Sequence, residues 1–278
     1  MTAAAVPAVR VDAFGLTDPG KIRPANEDHF AIAMLRKAVE LRQCSITASQ
    51  VTERYSSPEA MVFVVADGVG GQPGGAFASE TAITTLVEYL SQAAGCYHNL
   101  DVTREHEFLA QLENSVQSAH QRLGGAEGKS HGPATTLTMA TLVWPRAYIV
   151  HVGDSRAFYL RRGRLRQLTR DQSMGEFMVE SGAWTEEQAR RARTSGVLVS
   201  ALGAAEMTPA LGLVDLTPGD TLLLCTDGLT KHVSDETIAD VLGKAESAEA
   251  ASRALVDAAL ADGGTDNVTA VVARMVSA

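Results

Sequence analysis

The 278-residue sequence has little cysteine and no long apolar run. Its three cysteines, Cys44, Cys96 and Cys225, are far apart and in no CxxC spacing, which argues against a disulfide framework and a structural zinc site. The longest apolar stretches, MVFVVA and TLLLC, are far shorter than the roughly 20 residues that span a bilayer. The start of the chain lacks the basic and apolar regions of a secretory signal. These absences predict a cytoplasmic protein with no membrane partner.

The sequence also has no excess of positive charge. Its 24 lysines and arginines are outnumbered by 33 aspartates and glutamates, and the formal net charge is −9. A nucleic-acid backbone would on balance be repelled by such a chain, so we expect no nucleic-acid partner. The hydrophobic content of 45% is that of an ordinary globular protein, with enough chain to bury a substantial core.

Short runs rich in Val, Ile, Thr and Leu, bounded by Gly, Pro, Asp or Asn, predict β-strands. These runs are VRVDAFGLT, DHFAIAML, MVFVVA, TLTMATLVW, AYIVHVG, AFYLRRG, RLRQLT, DTLLLCT and NVTAVVARM. The connections WPRA and RRGR are short enough to indicate hairpins, which favours antiparallel pairing over a parallel sheet.

Helical periodicity separates the groups of strands. It covers residues 76–92, 105–123, 186–193, 235–242 and 249–261. Because the helices are grouped and do not alternate one for one with strands, the sequence predicts an α+β layered fold. No repeat or linker divides the chain, so we expect a disordered tail at 1–8 and one domain over 9–278. The segment 36–60 is longer than a tight hairpin needs; we interpret it as a tolerated insertion in preference to a surface excursion with contacts of its own.

Acidic residues coincide with the ends of the apolar runs. Three runs end in an acid, a fourth follows one, and a pair of acids precedes a fifth; these residues are Asp67, Asp154, Asp227, Asp266, and Glu27 with Asp28. Any single Asp-Gly pair is more often a simple turn. Repetition of the pattern favours a shared role, since clustered carboxylates stay ionised only beside a cation. With no Cys or His cluster, the set suits Mg²⁺ or Mn²⁺ before Zn²⁺.

The sequence lacks the residue spacing of three other phosphate-binding motifs. A dinucleotide fingerprint starting at Gly68 would need glycine at position 73, which is Pro73. The segment GGAEGKS resembles a Walker loop but is one residue too short and follows a helical stretch. No cysteine begins a CxxxxxR phosphatase loop.

Seven motifs in order carry a family resemblance: RPANED, VVADGVGGQPGG, ATTLTMATLV, VHVGDSRAFYL, LTRDQS, LLLCTDGL and GGTDNVTAVV. Together they resemble the metal-dependent protein serine/threonine phosphatases of the type 2C family in its compact bacterial form, from about Val9 to Met275. The resemblance implies a four-layer α/β/β/α sandwich, with two antiparallel sheets face to face and helices outside. It also implies a centre of two Mn²⁺ or Mg²⁺ ions and leaves the occupancy of a third site open.

The resemblance assigns metal ligands by position in this sequence. Asp67 corresponds to the residue that bridges both ions. Asp227 and Asp266 complete one ion site, and Glu27 with the carbonyl of Gly68 completes the other. The implied reaction is attack of a metal-bridged hydroxide on a phosphoserine or phosphothreonine.

Further positions match supporting roles in the family. Asp154 corresponds to the acid of the third metal site, to which Asp227 also contributes. Arg23 corresponds to the arginine that holds the substrate phosphate, and a guanidinium suits that task because its planar fork grips two oxygens. Asp28 and Asn267 match positions that support the ligands.

The sequence departs from the family pattern near the cleft. Val69 stands where eukaryotic relatives have a histidine thought to protonate the leaving group, and Gln172 stands where a histidine is usual. Both His29 and His151 are left out of the catalytic set. His151 is interpreted as a packed or edge residue of a strand, and His29 is expected to point opposite to Asp28 in an extended segment. Residues 173–199 are expected to form a flap beside the cleft.

The predicted activity is removal of phosphate from serine or threonine of proteins, opposing a bacterial serine/threonine kinase. One alternative is a phosphatase for a regulatory anti-anti-sigma-type protein or another non-kinase partner. A second, of a different class, is a phosphoprotein-recognition module with the same fold and little turnover. The presence of Asp67, Asp227 and Asp266 argues against that module.

Overall fold

The computed structural model describes residues 9–36, 58–69, 74–92, 105–124 and 132–277. The predicted tail at 1–8, most of the 36–60 segment, Cys44, Cys96 and the central part of the glycine-rich loop lie outside these residues. The described strands form two five-stranded sheets in which every pair is antiparallel. No described helix is both long and apolar enough to cross a membrane.

The first sheet has the strand order β1-β10-β9-β6-β7, so the first and last described strands are neighbours. Its strands are β1 (Val9–Asp18), β6 (Arg156–Arg161), β7 (Arg164–Gln167), β9 (Thr221–Cys225) and β10 (Val268–Ser277). The second sheet has the order β2-β3-β4-β5-β8. Its strands are β2 (Asp28–Arg36), β3 (Pro58–Asp67), β4 (Leu137–Val143), β5 (Arg146–Val152) and β8 (Ala210–Asp215).

Seven helices lie in the described residues. They are α1 (Gly75–Gln92), α2 (Glu105–Arg122), α3 (Met174–Glu180), α4 (Glu186–Arg191), α5 (Asp227–Thr230), α6 (Asp235–Lys244) and α7 (Ala248–Ala261). The five predicted helical stretches are confirmed. The short helices α3 and α5 were not predicted, because four to seven residues are too few to show a helical period.

Both faces of the central strands are buried, which explains their unbroken apolar sequences. Along β3, Phe63 and Val65 pack between the sheets, whereas Val62 and Val64 pack under α1 and α2. Strand β9 repeats this pattern against α6 and α7 on its outer face. The predicted four-layer α/β/β/α sandwich is confirmed.

Strand β8 is the main element that the sequence pattern missed. It lies at the edge of the second sheet, where Leu211 and Leu213 are exposed and Gly212 interrupts the apolar sequence. An edge strand with apolar residues facing solvent has neither the alternation nor the continuous burial that marks a strand in a sequence. The WPRA and RRGR hairpins are confirmed.

Candidate metal centre

Antiparallel pairing brings the acid-bearing strand ends together. In the second sheet, Asp28 at the start of β2 lies directly opposite Asp67 at the end of β3. In the first sheet, Cys225 at the end of β9 is paired with both Ala270 of β10 and Arg156 of β6. The loop that follows β9 and the loops that precede β10 and β6 therefore lie at the same end of the first sheet.

Three more acids lie on these loops. Asp227 follows β9 by two residues, while Asp266 and Asp154 each precede a strand by two. All three interact electrostatically with Asp67. Burial in the cleft, then the Asp28 carboxylate, and then these three acids raise the pKa of Asp67 well above its ordinary value, although part of its surface stays open to solvent.

Asp28 joins the two sheets beneath the cleft. Its Oδ2 accepts hydrogen bonds from the hydroxyls of Thr226 at 2.8 Å and Thr269 at 2.7 Å, both from the other sheet. Its Oδ1 is buried without a hydrogen-bond partner. Burial raises the pKa of Asp28 to about 7 despite the two hydroxyl donors. These contacts tie β2 to Thr226, which precedes Asp227, and to Thr269, which follows Asp266 by three residues.

Two cationic side chains lie against the acids. Arg23 contacts Asp266 through its fork, with Nε 2.7 Å from Oδ1 and an Nη 3.0 Å from Oδ2. Lys231 has its Nζ 2.6 Å from Asp227 Oδ2 and 2.9 Å from Asp266 Oδ2. Sequence reasoning missed Lys231, although its position four residues after Asp227 is the spacing of a helical ion pair.

Glu27 and Gly68 meet at the start of α1. The backbone N–H of Gly68 donates to the Glu27 carbonyl at 3.1 Å. A Cβ on Gly68 would collide with the backbone of Gly75, and a Cβ on Gly75 would lie 2.8 Å from a Glu27 carboxylate oxygen. Glycine is therefore required at both positions for the two backbones and the carboxylate to approach each other.

Asn267 holds the loop that carries Arg23 and Glu27. Its Oδ1 accepts from the Glu27 backbone N–H at 2.9 Å. Its Nδ2 donates to the carbonyls of Pro19 and Ala25, each at 2.9 Å. Because Asn267 directly follows Asp266, its hydrogen bond to the backbone of Glu27 holds the Asp266 segment and the Glu27 segment next to each other.

Asp154 lies at the margin of the cluster. Burial, and then the nearby Asp227 carboxylate, raise its pKa to about 7. Gln172 braces the adjoining residue, because the Gly153 N–H donates to Gln172 Oε1 at 3.0 Å and the Gln172 N–H donates back to the Gly153 carbonyl at 2.7 Å. Residues 173–199, predicted to form a flap, begin immediately after this glutamine and contain α3 and α4.

Neither histidine singled out in the sequence joins the acid cluster. His151 is buried in β5, where its ring contacts the hydroxyl of Thr138 and the carbonyl of Arg170. Burial lowers the pKa of His151, which keeps the ring neutral. His29 forms a 2.9 Å hydrogen bond with Ser79 on α1. The interpretation of His151 as a packed residue is confirmed.

The carboxylates outnumber the cations in this cluster and fit a divalent-metal site. Asp227 Oδ1 is buried with no hydrogen-bond partner, and burial raises the pKa of Asp227. Such an oxygen is left with lone pairs that a cation can satisfy. Within the described chain no three His, Cys, Asp or Glu side chains already stand as a closed ligand set. The oxygen-only donors suit Mg²⁺ or Mn²⁺.

The comparison with known families agrees with this arrangement. Residues 52–263 match the family model described as protein phosphatase 2C. The chain belongs to the protein phosphatase 2C family. The match covers β3 to the end of α7 and includes three of the clustered acids, Asp67, Asp154 and Asp227; Asp266 lies three residues beyond it.

Curated relatives are bacterial protein phosphatases. The serine/threonine protein phosphatase PstP of Mycobacterium tuberculosis is 36% identical over 246 residues, which are 87% of this chain and 45% of that protein. The serine/threonine phosphatase stp of Listeria welshimeri is 28% identical over 260 residues, 92% of each chain. This chain thus spans less than half the length of the mycobacterial relative.

Solved structures of the family share the fold. The Streptococcus agalactiae serine/threonine phosphatase superposes with a TM-score of 0.77 at 26% identity, covering 95% of this chain and 99% of that one. The PstP structure gives 0.73 at 29% identity, covering 97% and 100%. A PstP catalytic domain in complex with two manganese ions gives 0.69, also at 29% identity and covering 97% and 100%.

Proposed function

We propose that this protein is a metal-dependent phosphatase that hydrolyses phosphoserine and phosphothreonine on proteins, using two Mn²⁺ or Mg²⁺ ions. The observation that carries the proposal is the cluster of four further aspartates around Asp67, in which Arg23 and Lys231 contact only Asp227 and Asp266 and a buried Asp227 oxygen is left unpartnered. Family membership and the names of the relatives support the same reaction class. The recognition-module alternative is not favoured, because every expected acid is present.

The residues proposed to hold the two ions are Asp67, Asp227, Asp266, Glu27 and the Gly68 carbonyl. When bound, two divalent ions supply a nucleophile from water at neutral pH and offset charge on the phosphoryl oxygens. The close approach of Gly68 to Gly75 and of Gly75 to the Glu27 carboxylate supports this assignment, because it brings the Gly68 backbone and the Glu27 side chain together at the start of α1. We propose that Asp154 with Asp227 serves a third ion.

Arg23 is the proposed phosphate-binding residue. Its side chain is 41% exposed and is held by Asp266. Neutralisation of Asp266 by a divalent ion would release the guanidinium fork for two phosphoryl oxygens. The positioning of Arg23 by the loop that Asn267 anchors supports this role.

The wider setting is also part of the proposal. We place residues 9–278 in one catalytic domain with a flap at 173–199, since β1 pairs with β10 and the flap adjoins the Asp154 loop. The substrates are phosphoproteins, including targets of a serine/threonine kinase, and the location is cytoplasmic. The scattered cysteines and the absence of a spanning sequence motivate that location.

Hydrolysis of a phosphothreonine peptide tests the activity. The purified protein is assayed with Mn²⁺, with Mg²⁺ and with EDTA, beside the Asp227→Asn variant. Turnover should require metal and should be lost in the variant, since its amide cannot supply the second anionic oxygen. A folded protein that binds metal but shows no turnover with either ion would move the assignment to a recognition module.

A further inference from the structure

The hairpin of β6 and β7 concentrates positive charge in an acidic protein. The stretch from position 156 to position 170 contains six arginines and no acid, although the whole chain carries a formal charge of −9. Half of these arginines have acidic partners: Arg156 with Asp171, Arg161 with Asp220, and Arg170 with two glutamates. Elsewhere on this hairpin Arg162, Arg164 and Arg166 form no salt bridge with any described residue.

These side chains surround a single cleft. Arg164 lies opposite Arg161 and Arg166 lies opposite Tyr159, so all four project from the same face of the hairpin. Together with Arg162 and Leu165 they line an open cleft of about 720 Å³. The Arg161 guanidinium lies 5.3 Å from the Tyr159 ring centroid, and its ion pair with Asp220 fixes the wall of the cleft.

The turn itself contains a strained arginine. Arg162 and Gly163 have φ angles of 51° and 74°, which define a two-residue hairpin turn with both residues in the left-handed region. Asparagine or glycine occupies the first position of such a turn with little strain, whereas a long side chain does not. Arg162 therefore adds conformational strain to the turn. Its positive charge beside the cleft gives a functional reason for an arginine at this position.

The hairpin also ends the first sheet. Strand β7 is the edge strand, and Leu168 donates its N–H to the Ala157 carbonyl of β6 at 2.7 Å. By the alternation of antiparallel pairing, the backbone groups of Leu165 and Gln167 point away from β6. A peptide in an extended conformation can bind such groups as an additional strand.

The cleft is separate from the metal acids. Arg156 at the start of β6 is paired with Cys225 beside the acid cluster, and Arg161 lies five residues further along the strand. At about 3.3 Å per residue, Arg164, opposite Arg161, lies on the order of 17 Å from that end of the sheet, and Arg166, opposite Tyr159, on the order of 10 Å. A substrate that reached both places would need about six extended residues between them.

We propose that Arg162, Arg164 and Arg166, named here the arginine hairpin, dock an acidic segment of the protein substrate along β7. The inference rests on the proposed phosphatase function, because the phosphorylated residue of the same substrate occupies the metal centre. A peptide is favoured over a nucleic acid, since only a peptide uses the outward backbone groups of β7 and the remaining surface is acidic.

The test compares phosphothreonine peptides with and without an acidic segment. One peptide is short and neutral, and two others carry a run of glutamates separated from the phosphothreonine by about six residues, on the N-terminal or the C-terminal side. The kcat/KM of each is measured for the parent protein and for Arg164→Gln/Arg166→Gln. The matched control is Arg122→Gln/Arg253→Gln, which removes two exposed arginines from outer helices.

One acidic peptide should be preferred by the parent protein, and the hairpin variant should lose about 5- to 10-fold in its kcat/KM while the neutral peptide is unaffected. Binding of an unphosphorylated acidic peptide, followed by fluorescence anisotropy, should weaken in the same variant and not in the control.

Equal turnover of all peptides by both proteins would overturn the docking site alone. Failure to hydrolyse even the neutral peptide would instead contradict the phosphatase function, while the anisotropy would still decide the docking site. Stronger binding of single-stranded DNA than of the acidic peptide would show that our choice of partner is wrong.

Discussion

The ammonium of Lys231 lies 2.6 Å from a carboxylate oxygen of Asp227 and is therefore within the acid cluster proposed to bind metal. The same ammonium is 2.9 Å from Asp266. Two acids that are expected to share one ion are thus joined by a cation of the chain itself. A divalent ion bound by these oxygens would compete with Lys231, whose ammonium offsets the charge of the two carboxylates.

Replacement of Lys231 by methionine should raise metal affinity. Lys231→Met keeps the length of the side chain but removes the charge that a metal must displace. Because the lysine is 46% exposed, its attraction is screened, and we expect about a tenfold gain in Mn²⁺ affinity. Isothermal titration calorimetry measures the gain.

The same variant should be less stable than the parent protein when metal is removed with EDTA. Its Tm should fall, because the acids lose the positive charge of Lys231. Lys244→Met is the matched control: Lys244 forms an i,i+4 pair with Asp240 at 2.6 Å on α6, away from the acids. An unchanged Mn²⁺ affinity in Lys231→Met would refute the competition.

The sequence was sufficient to predict the acids but not the cation between them. Strands β3 and β9 are buried on both faces, so their apolar runs stand out in the sequence and point to Asp67 at the end of β3 and to Asp227 two residues after β9. Lys231 follows a helix of one turn, which is too short to leave a periodic signal. Its contact with Asp266 joins residues 35 positions apart, and only the folded loops bring them together.

Removal of the Asn267 side chain should loosen the loop that carries Arg23 and Glu27. Asn267→Ala abolishes one accepted and two donated hydrogen bonds to the backbone of this loop. A hydrogen bond of this kind contributes about 0.5–1.5 kcal/mol. We expect a lower Tm together with weaker Mn²⁺ binding. Asn114→Ala on the exposed face of α2 should change neither quantity, and a normal metal affinity in Asn267→Ala would contradict the anchoring role.

Substitution of Gly75 tests the approach of α1 to Glu27. In Gly75→Ala the new Cβ would lie 2.8 Å from a Glu27 carboxylate oxygen, so the carboxylate must move. Weaker Mn²⁺ binding is expected, measured by calorimetry, with the protein still folded by circular dichroism. Gly243→Ala in the last turn of α6 is the control, because the nearest neighbour of the new Cβ would be 3.9 Å away and the metal affinity should not change. Equal metal affinity in both variants would show that the Glu27 position is unimportant.

The stability of the metal-free protein should fall as pH rises. Burial raises the pKa values of Asp28 and Asp154 to about 7 in the folded chain, whereas both are near 4 when unfolded. A folded pKa above the unfolded value means that the folded state binds more protons between those limits. The contribution of these groups is therefore fully present below about pH 4 and lost as pH rises through 7.

Tm measured in EDTA should decrease from pH 5 to pH 8, and Mn²⁺ should flatten the decrease because bound metal replaces the protons. Asp154→Asn, which carries no titrating group, should show a shallower decline in EDTA; a Tm that instead rose with pH would show that these acids are already ionised without metal.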